Sequence, residues 1–143
     1  MEKAKVFIVL FLLVCFGYTL NAQSFSSEKN KHEAEQILNQ ILNSQQFDSI
    51  YSFKKVYFEA NELLLIDSPL LLKRKKCKVS IVKDGSSLKN KHYVVLGDFT
   101  IDWNNPVAVR VQLSIMPEDV LLSIGLVKTN GNWIIKNHAI FKD

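Results

Sequence analysis

The stretch VAVRVQLSI, residues 107–115, decides the fold that this chain can adopt. Bulky apolar residues alternate in it with small or polar ones, which is the period of a β-strand with one buried and one exposed face. The residues predicted to face the core are Val107, Val109, Val111, Leu113 and Ile115. A sheet face this apolar has to be covered, so another part of the chain must supply a second layer.

The same alternation on either side of this stretch predicts an antiparallel sheet. The predicted inward residues are Tyr93, Val95, Phe99, Ile101 and Trp103 in one strand, Val120, Leu122, Ile124 and Leu126 in the next, and Trp133, Ile135, Ala139 and Phe141 in the last. Gly97 is predicted to form a bulge. Asn130-Gly131 predicts a two-residue hairpin turn, because both of its positions favour a positive φ. An earlier strand is predicted over 77–81, with Cys77 turned into the core.

The residues before the strands predict two helices. One apolar stripe with the i, i+3, i+4 spacing of a helix consists of Ala34, Ile37, Leu38, Ile41 and Leu42. Asn30 and Glu33 are suited to cap the start of this helix, and the same spacing recurs in a second short helix over 46–53. The sequence therefore predicts an α+β fold, with N-terminal helices packed on one face of a curved antiparallel β-sheet.

Residues 1–22 have the three parts of a secretory signal peptide. Two lysines precede an apolar run over 6–16, and Ala22 supplies a small residue before the cleavage point. The run is too short to cross a membrane, which needs about 20 apolar residues. Lipid attachment at Cys15 is the alternative, but a bulky valine stands where that chemistry needs a small residue. We expect a signal peptide over 1–22, a single α+β domain over 23–143, and a mature protein in the periplasm or outside the cell.

Charge and cysteine content exclude some classes of function. The net charge of +4 at pH 7 is too small to indicate a nucleic-acid-binding protein. Only Cys77 would remain after cleavage, so no disulfide can form within the mature chain. His32, His92 and His138 lack the close spacing of metal ligands, and we expect neither a metal nor another cofactor.

Three features occur in a fixed order along the chain: helical residues around Gln46-Phe47-Asp48, late antiparallel strands, and the closing Gly131-Asn132-Trp133-Ile134-Ile135. This order resembles that of the nuclear transport factor 2-like or cystatin-like α+β superfamily. The resemblance implies a cone-shaped pocket between helix and sheet. Some members of the superfamily are enzymes, and many others are binding or dimerisation modules. No catalytic motif of the enzymatic members can be matched in this sequence, so none of their residues is transferred.

These features favour a small exported binding or interaction domain that is not an enzyme. A pocket between helix and sheet would take a small apolar ligand. The aromatic residues expected near it are Tyr51, Tyr93, Phe99, Trp103 and Trp133. The alternative is an enzyme of the same fold in which Asp98 or Asp102 forms an acid–base pair with His138. A third interpretation is an interaction protein that forms a homodimer or binds an envelope protein through the back of its sheet.

The most basic segment offers a further surface. It contains Lys73, Arg74, Lys75, Lys76 and Lys78. These cations could bind an anionic lipid surface or an acidic partner, or they could protect an edge strand from pairing with another chain. Aromatic residues do not alternate with them, so single-stranded nucleic acid is not expected. The apolar residues within 61–72 would form either a lid over the core or an exposed patch.

Cleavage of the signal peptide can be tested on the exported protein. If residues 1–22 are removed, mass spectrometry of protein purified from the cell envelope or the medium will show a chain that begins at Gln23. A chain that begins at Cys15 and carries diacylglycerol would contradict this expectation and identify a lipoprotein.

Overall fold

The computed structural model describes residues 28–59, 70–75, 77–88 and 91–142. The helices are α1 (Glu28–Leu42) and α2 (Gln45–Ile50), and a 3₁₀ turn spans Gly85–Ser87. The strands are β1 (Tyr57–Glu59), β2 (Lys73–Arg74), β3 (Cys77–Lys78), β4 (Ser80–Val82), β5 (Tyr93–Asp102), β6 (Ala108–Met116), β7 (Val120–Thr129) and β8 (Asn132–Lys142). The predicted signal peptide lies outside the described residues. Of the helices within these ranges, none is long and apolar enough to cross a membrane.

Six strands form one mostly antiparallel sheet that is not closed, in the order β4-β1-β5-β6-β7-β8, while β2 and β3 form a separate two-stranded ribbon. Strands β5 to β8 are antiparallel to one another, but β1 is parallel to both β4 and β5. The α+β class is confirmed, and the prediction of a wholly antiparallel sheet is wrong at this edge. Alternation within a strand shows which face is buried, but it does not show whether the neighbouring strand runs parallel or antiparallel.

The centre of the sheet has the faces that the sequence predicts. The inward residues of β6 and β7 are at most 3% exposed: Val109, Val111, Leu113, Ile115, Leu122, Ile124 and Leu126. Arg110, between two of them, faces outward and is exposed. The chain turns between β7 and β8 at Asn130 and Gly131, with φ of 50° and 80°, which confirms the predicted hairpin turn.

Helix α1 carries the predicted apolar stripe. All five of its stripe residues are 0% exposed: Ala34, Ile37, Leu38, Ile41 and Leu42. The last four belong to the same core cluster as the inward residues of β6 and β7. Burial of each Ile or Leu side chain contributes about 1.5–3 kcal/mol to folding, so this stripe is a main source of the stability of the fold.

Glu33 connects α1 to the β7–β8 hairpin. It is 7% exposed, its Oε2 accepts a hydrogen bond from Nε1 of Trp133 at 2.8 Å, and its Oε1 accepts one from the Lys128 ammonium. Burial raises the pKa of Glu33, but the hydrogen bonds from Lys128 and Trp133 outweigh that effect and hold this pKa below its ordinary value. The predicted capping pair is therefore wrong, because Asn30 lies inside α1 and Glu33 contacts the sheet.

A bulge in β5 exchanges the buried face of that strand. Its register with β6 shifts between Leu96 and Phe99, which confirms the bulge predicted at Gly97. Val94 and Leu96 are buried before the shift, and Phe99 packs against the core after it. The prediction that Tyr93 faces the core is wrong, because one extra residue changes which positions of the strand point inward.

A second register shift, which the sequence does not predict, lies in β8. Asn137 pairs with Gly125, whereas Ile135 pairs with Leu126, so Lys136 is the extra residue of this bulge. Beyond it the faces of β8 are exchanged, so the prediction that Ala139 and Phe141 face the core is wrong. Those residues are exposed.

Cys77 is exposed, so the prediction that it faces the core is wrong. It pairs with Arg74 in the β2–β3 ribbon. Val79 is buried, and its N–H donates to the carbonyl of Leu72 at 3.1 Å before β4 begins in the main sheet. The alternation over 77–81 therefore spans two separate sheets and cannot define one common face.

Most of the apolar segment within 61–72 lies outside the described residues. At its end Leu70 and Leu72 are buried, and Leu71 between them is 61% exposed. The choice between a lid and an exposed patch stays a prediction for the segment as a whole.

The faces of β6 make a direct prediction for stability. Val111→Asp will prevent folding, because it buries a charge with no partner at the centre of the sheet. Arg110→Ala will change the free energy of unfolding by no more than about 0.5 kcal/mol, as expected for an exposed residue. Urea denaturation followed by circular dichroism measures both. A folded Val111→Asp variant, or a costly Arg110→Ala, would contradict the register.

Candidate functional site

Arg74 is a buried arginine at the centre of the loop that follows α2. It is 5% exposed. Its Nη1 donates to the carbonyl of Phe53 at 2.6 Å, and its Nη2 donates to the carbonyl of Tyr51 at 2.6 Å and to Oδ1 of Asp48 at 2.7 Å. The guanidinium lies 5.0 Å from the ring centre of Phe47 and 5.2 Å from that of Tyr51. Arg74 therefore fixes the course of the chain from α2 to Phe53.

Two asparagines, Asn39 on α1 and Asn43 directly after it, hold the chain segment that contains Arg74. Asn39 accepts a hydrogen bond from the N–H of Lys73 at 2.7 Å and donates to the carbonyl of Leu71 at 3.3 Å. One helical turn later, Asn43 accepts from the N–H of Lys75 at 2.5 Å and donates to the carbonyl of Lys73 at 2.9 Å. The amide side chains thus bind this extended segment much as a neighbouring strand would.

A cleft opens beside the loop that Arg74 holds. It is lined by Tyr51, Phe53, Lys54, Lys55, Tyr57, Lys91 and His92, and its volume is about 340 Å³. We call this the aromatic cleft. Phe53 is 44% exposed and stacks on the His92 ring, with 3.8 Å between the ring centres and 16° between the planes. The Lys91 ammonium lies 5.3 Å from the ring centre of Tyr57.

Tyr51 forms the inner wall of the aromatic cleft. It is 1% exposed, and its hydroxyl donates to the carbonyl of Lys55 at 2.9 Å and lies 3.3 Å from the carbonyl of His92. Burial raises the pKa of Tyr51 to about 12, so the hydroxyl stays protonated in neutral solution. The hydroxyl therefore connects the loop after α2 with the residues that lead into β5.

The aromatic cleft has an excess of positive charge. Nδ1 of His92 lies 2.5 Å from Oε1 of Glu118, in the turn between β6 and β7. Within the described ranges, Lys54, Lys55 and Lys91 have no carboxylate at ion-pair distance. Three such ammonium groups beside an exposed aromatic ring can bind an anion that carries a flat, apolar part.

The structure does not bring the five predicted pocket aromatics together. Tyr51 lines the aromatic cleft, and Phe99 packs against the core cluster. Trp133 is 5% exposed beside Glu33, and Trp103 is 42% exposed beyond the end of β5. The ring of Tyr93 lies over Gly85, where a Cβ atom would be 2.2 Å from it. Core side chains occupy the space between helix and sheet where the apolar pocket was expected.

The predicted acid–base residues also lie apart. Asp98 accepts a hydrogen bond from the Thr100 hydroxyl at 2.8 Å, and Asp102 accepts one from the N–H of Asn104 at 3.0 Å. His138 lies on β8, which two strands separate from β5. With about 4.8 Å between neighbouring strands, its backbone is roughly 14 Å from β5. The described part of the chain also has no group of three or more His, Cys, Asp or Glu side chains placed to hold a metal ion.

The predicted basic surface is smaller than the sequence suggests. Lys73, Lys75 and Lys78 are exposed, and the Lys75 ammonium lies 3.3 Å from Oδ2 of Asp48. Lys76 lies outside the described residues. The inclusion of Arg74 in this surface is wrong, because its guanidinium is buried and hydrogen-bonded to backbone carbonyls.

The aromatic cleft is not among the sites that the sequence predicts. Its local signal is the segment FKKVY, residues 53–57, in which two aromatic residues enclose two lysines. The remaining wall comes from Lys91 and His92, which lie beside β1 because β1 pairs with β5. Comparison of the chain with protein-family models, with curated proteins and with solved structures gave no match.

The buried contacts of Arg74 predict a large effect on stability. Arg74→Met will lower the free energy of unfolding by roughly 3 kcal/mol, because it leaves buried carbonyl groups without a donor. Lys75→Met, which removes only an exposed contact with the same carboxylate, will cost at most about 1 kcal/mol. Urea denaturation at pH 7 measures both, and equal effects of the two variants would contradict the buried role of Arg74.

The ion pair between Arg74 and Asp48 also predicts how stability depends on pH. The hydrogen bond from Arg74 lowers the pKa of Asp48 from its ordinary 3.8. A carboxyl whose pKa is lowered by folding stabilises the fold above its ordinary pKa, and this contribution is lost as the pH falls through the folded-state pKa. The difference in stability between wild type and Arg74→Met will therefore be constant above about pH 5 and narrow below about pH 4. A difference that widens in acid would contradict this assignment.

Proposed function

We propose that this protein is an exported, non-enzymatic binding domain whose site is the aromatic cleft. Its ligand is a small organic anion with a flat, apolar part. The observation that carries this proposal is a group of three lysines around the stacked rings of Phe53 and His92. These lysines, Lys54, Lys55 and Lys91, have no carboxylate at ion-pair distance among the residues that the structure describes. The ammonium groups recognise the anion, and the rings recognise the flat part.

The dimensions of the cleft favour a small ligand. A volume of about 340 Å³ is at the lower end of the roughly 300–1,000 Å³ of small-molecule sites. Phe53 gives the ligand an aromatic face that is already fixed by its contact with His92. Arg74 holds the backbone of Phe53, so little conformational entropy is lost when the ligand binds.

The lining of the cleft favours binding over catalysis. Its described side chains include no serine, threonine or cysteine nucleophile. His92 is paired with Glu118, and one face of its ring is covered by Phe53. The enzyme alternative built on Asp98, Asp102 and His138 is disfavoured, because His138 lies two intervening strands away from β5.

The proposal also retains the predicted compartment and family. Export rests on the signal-peptide pattern of residues 1–22. Membership of the nuclear transport factor 2-like or cystatin-like superfamily rests on the order of elements, with helices that would cover one face of a curved sheet. In this proposal the ligand site lies at the end of the sheet, beside the loop after α2, and not between helix and sheet.

Titration with aryl anions tests the proposed function. Naphthoate and naphthyl phosphate will bind wild-type protein in isothermal titration calorimetry, and neutral naphthol will bind more weakly. Replacement of Lys54, Lys55 and Lys91 by Gln will weaken naphthoate binding at least about tenfold, since each cation contributes about 0.5 kcal/mol or more and 1.4 kcal/mol is tenfold. Phe53→Ala will weaken it about three- to tenfold through the lost ring contact.

A charge-matched variant is the control for these measurements. Replacement of Lys73, Lys78 and Lys142 by Gln removes the same charge from exposed positions outside the cleft. This variant will bind naphthoate like wild type. Equal weakening in both triple variants would attribute binding to net charge and overturn the site, as would the absence of binding by wild type at millimolar naphthoate and naphthyl phosphate.

A further inference from the structure

A second concave surface lies on the outer face of the sheet, far from the aromatic cleft. Its volume is about 390 Å³, and its lining includes Thr100, Arg110, Ser123, Gly125, Lys136 and Asn137. We call it the sheet groove. Thr100 is eight residues along the chain from His92 in the aromatic cleft. At about 3.3 Å per residue along an extended strand, these two residues are roughly 25 Å apart.

The strand register places the groove residues in one row. Thr100 pairs with Arg110, Arg110 pairs with Gly125, and Gly125 pairs with Asn137. Directly opposed residues of neighbouring strands point to the same side of a sheet. Arg110 is exposed, so the whole row lies on the face that is turned away from the core.

Gly125 makes this row concave. A Cβ atom at this position would lie 2.3 Å from Oδ1 of Asn137, so the absence of a side chain leaves room for the Asn137 amide. The bulge in β8 adds Lys136 next to Asn137 on the rim of the groove. The floor is thus backbone and amide, and two cationic side chains, Arg110 and Lys136, lie at its sides.

The charge of the sheet groove favours an anionic ligand. Within the described residues, Arg110 and Lys136 have no carboxylate at ion-pair distance. Asp102 also borders the groove, but its Oδ1 accepts hydrogen bonds from the backbone and side-chain amides of Asn104. Guanidinium groups bind planar or tetrahedral oxyanions in a bidentate manner.

We propose that the sheet groove binds an acidic sugar, a polyhydroxylated molecule with one carboxylate or phosphate group. Arg110 and Lys136 bind the anionic group. The Ser123 hydroxyl and the Asn137 amide supply donors and acceptors for the sugar hydroxyls. This site is independent of the aromatic cleft, because the two share no residue and the groove has no aromatic side chain in its lining.

Nuclear magnetic resonance titration of the full mature chain tests this proposal. Glucuronate and glucose phosphate are the two anionic probes, and glucose is the neutral one. At least one anionic probe will shift the backbone amide signals of residues 123–125 and 136–137 with a dissociation constant in the millimolar range or tighter. The probe that binds more tightly shows whether a carboxylate or a phosphate is preferred. Glucose will bind at least tenfold more weakly.

Matched variants distinguish binding in the sheet groove from an effect of net charge and from binding in the aromatic cleft. Arg110→Gln with Lys136→Gln will weaken binding of the acidic sugar at least tenfold, and Lys78→Gln with Lys142→Gln will leave it unchanged. Ser123→Ala will weaken it severalfold without a change in charge. Replacement of Lys54, Lys55 and Lys91 will not affect it.

Three results would overturn the sheet groove. These are no binding of either anionic probe at 50 mM, equal weakening in the groove variant and its charge-matched control, and loss of binding on replacement of the cleft lysines. The first result leaves naphthoate binding at the cleft intact, so failure of this proposal is distinguishable from failure of the proposed function.

Discussion

The hydrogen bonds of the buried Arg74 guanidinium are the interactions on which the loop after α2 and the aromatic cleft depend. Removal of a charge from water is costly, and it is tolerated here because Arg74 donates to two backbone carbonyls and to Asp48 and lies over two aromatic rings. Those carbonyls belong to Tyr51 and Phe53. The same hydrogen bonds that stabilise the buried charge therefore place Phe53 at the edge of the aromatic cleft.

The two β-bulges have a comparable influence on the sheet. In β5 the extra residue near Gly97 exchanges the buried face, and Tyr93 packs over Gly85 instead of entering the core. In β8 the extra residue Lys136 brings two consecutive polar side chains to the rim of the sheet groove. Both bulges interrupt otherwise regular alternation, and each of them changes what the outer surface can contact.

The distribution of charge connects these features. Two of the ion pairs in this structure have structural roles: Arg74 with Asp48, and Lys128 with Glu33. Lysines that have no carboxylate partner in the described part of the chain surround the aromatic cleft, at the end of the sheet where β1 pairs with β5. A net charge of +4 is modest for the whole chain, but Lys54, Lys55 and Lys91 lie together beside one concave surface. Local concentration of charge determines binding more than the total does.

The sequence by itself determined the elements whose pattern is local. The alternation over 107–115, the helical stripe of α1 and the Asn130-Gly131 turn each report their own periodicity or φ preference, and the structure has all three. The tertiary structure alone decided the burial of Arg74, the exposure of Cys77, the parallel pairing of β1 and the aromatic cleft. Each of these depends on residues that are distant along the chain. Examples are the Tyr51 and Phe53 carbonyls, which accept hydrogen bonds from Arg74, and strand β1, which pairs with both β4 and β5. A period of two or 3.6 residues contains no information about such partners.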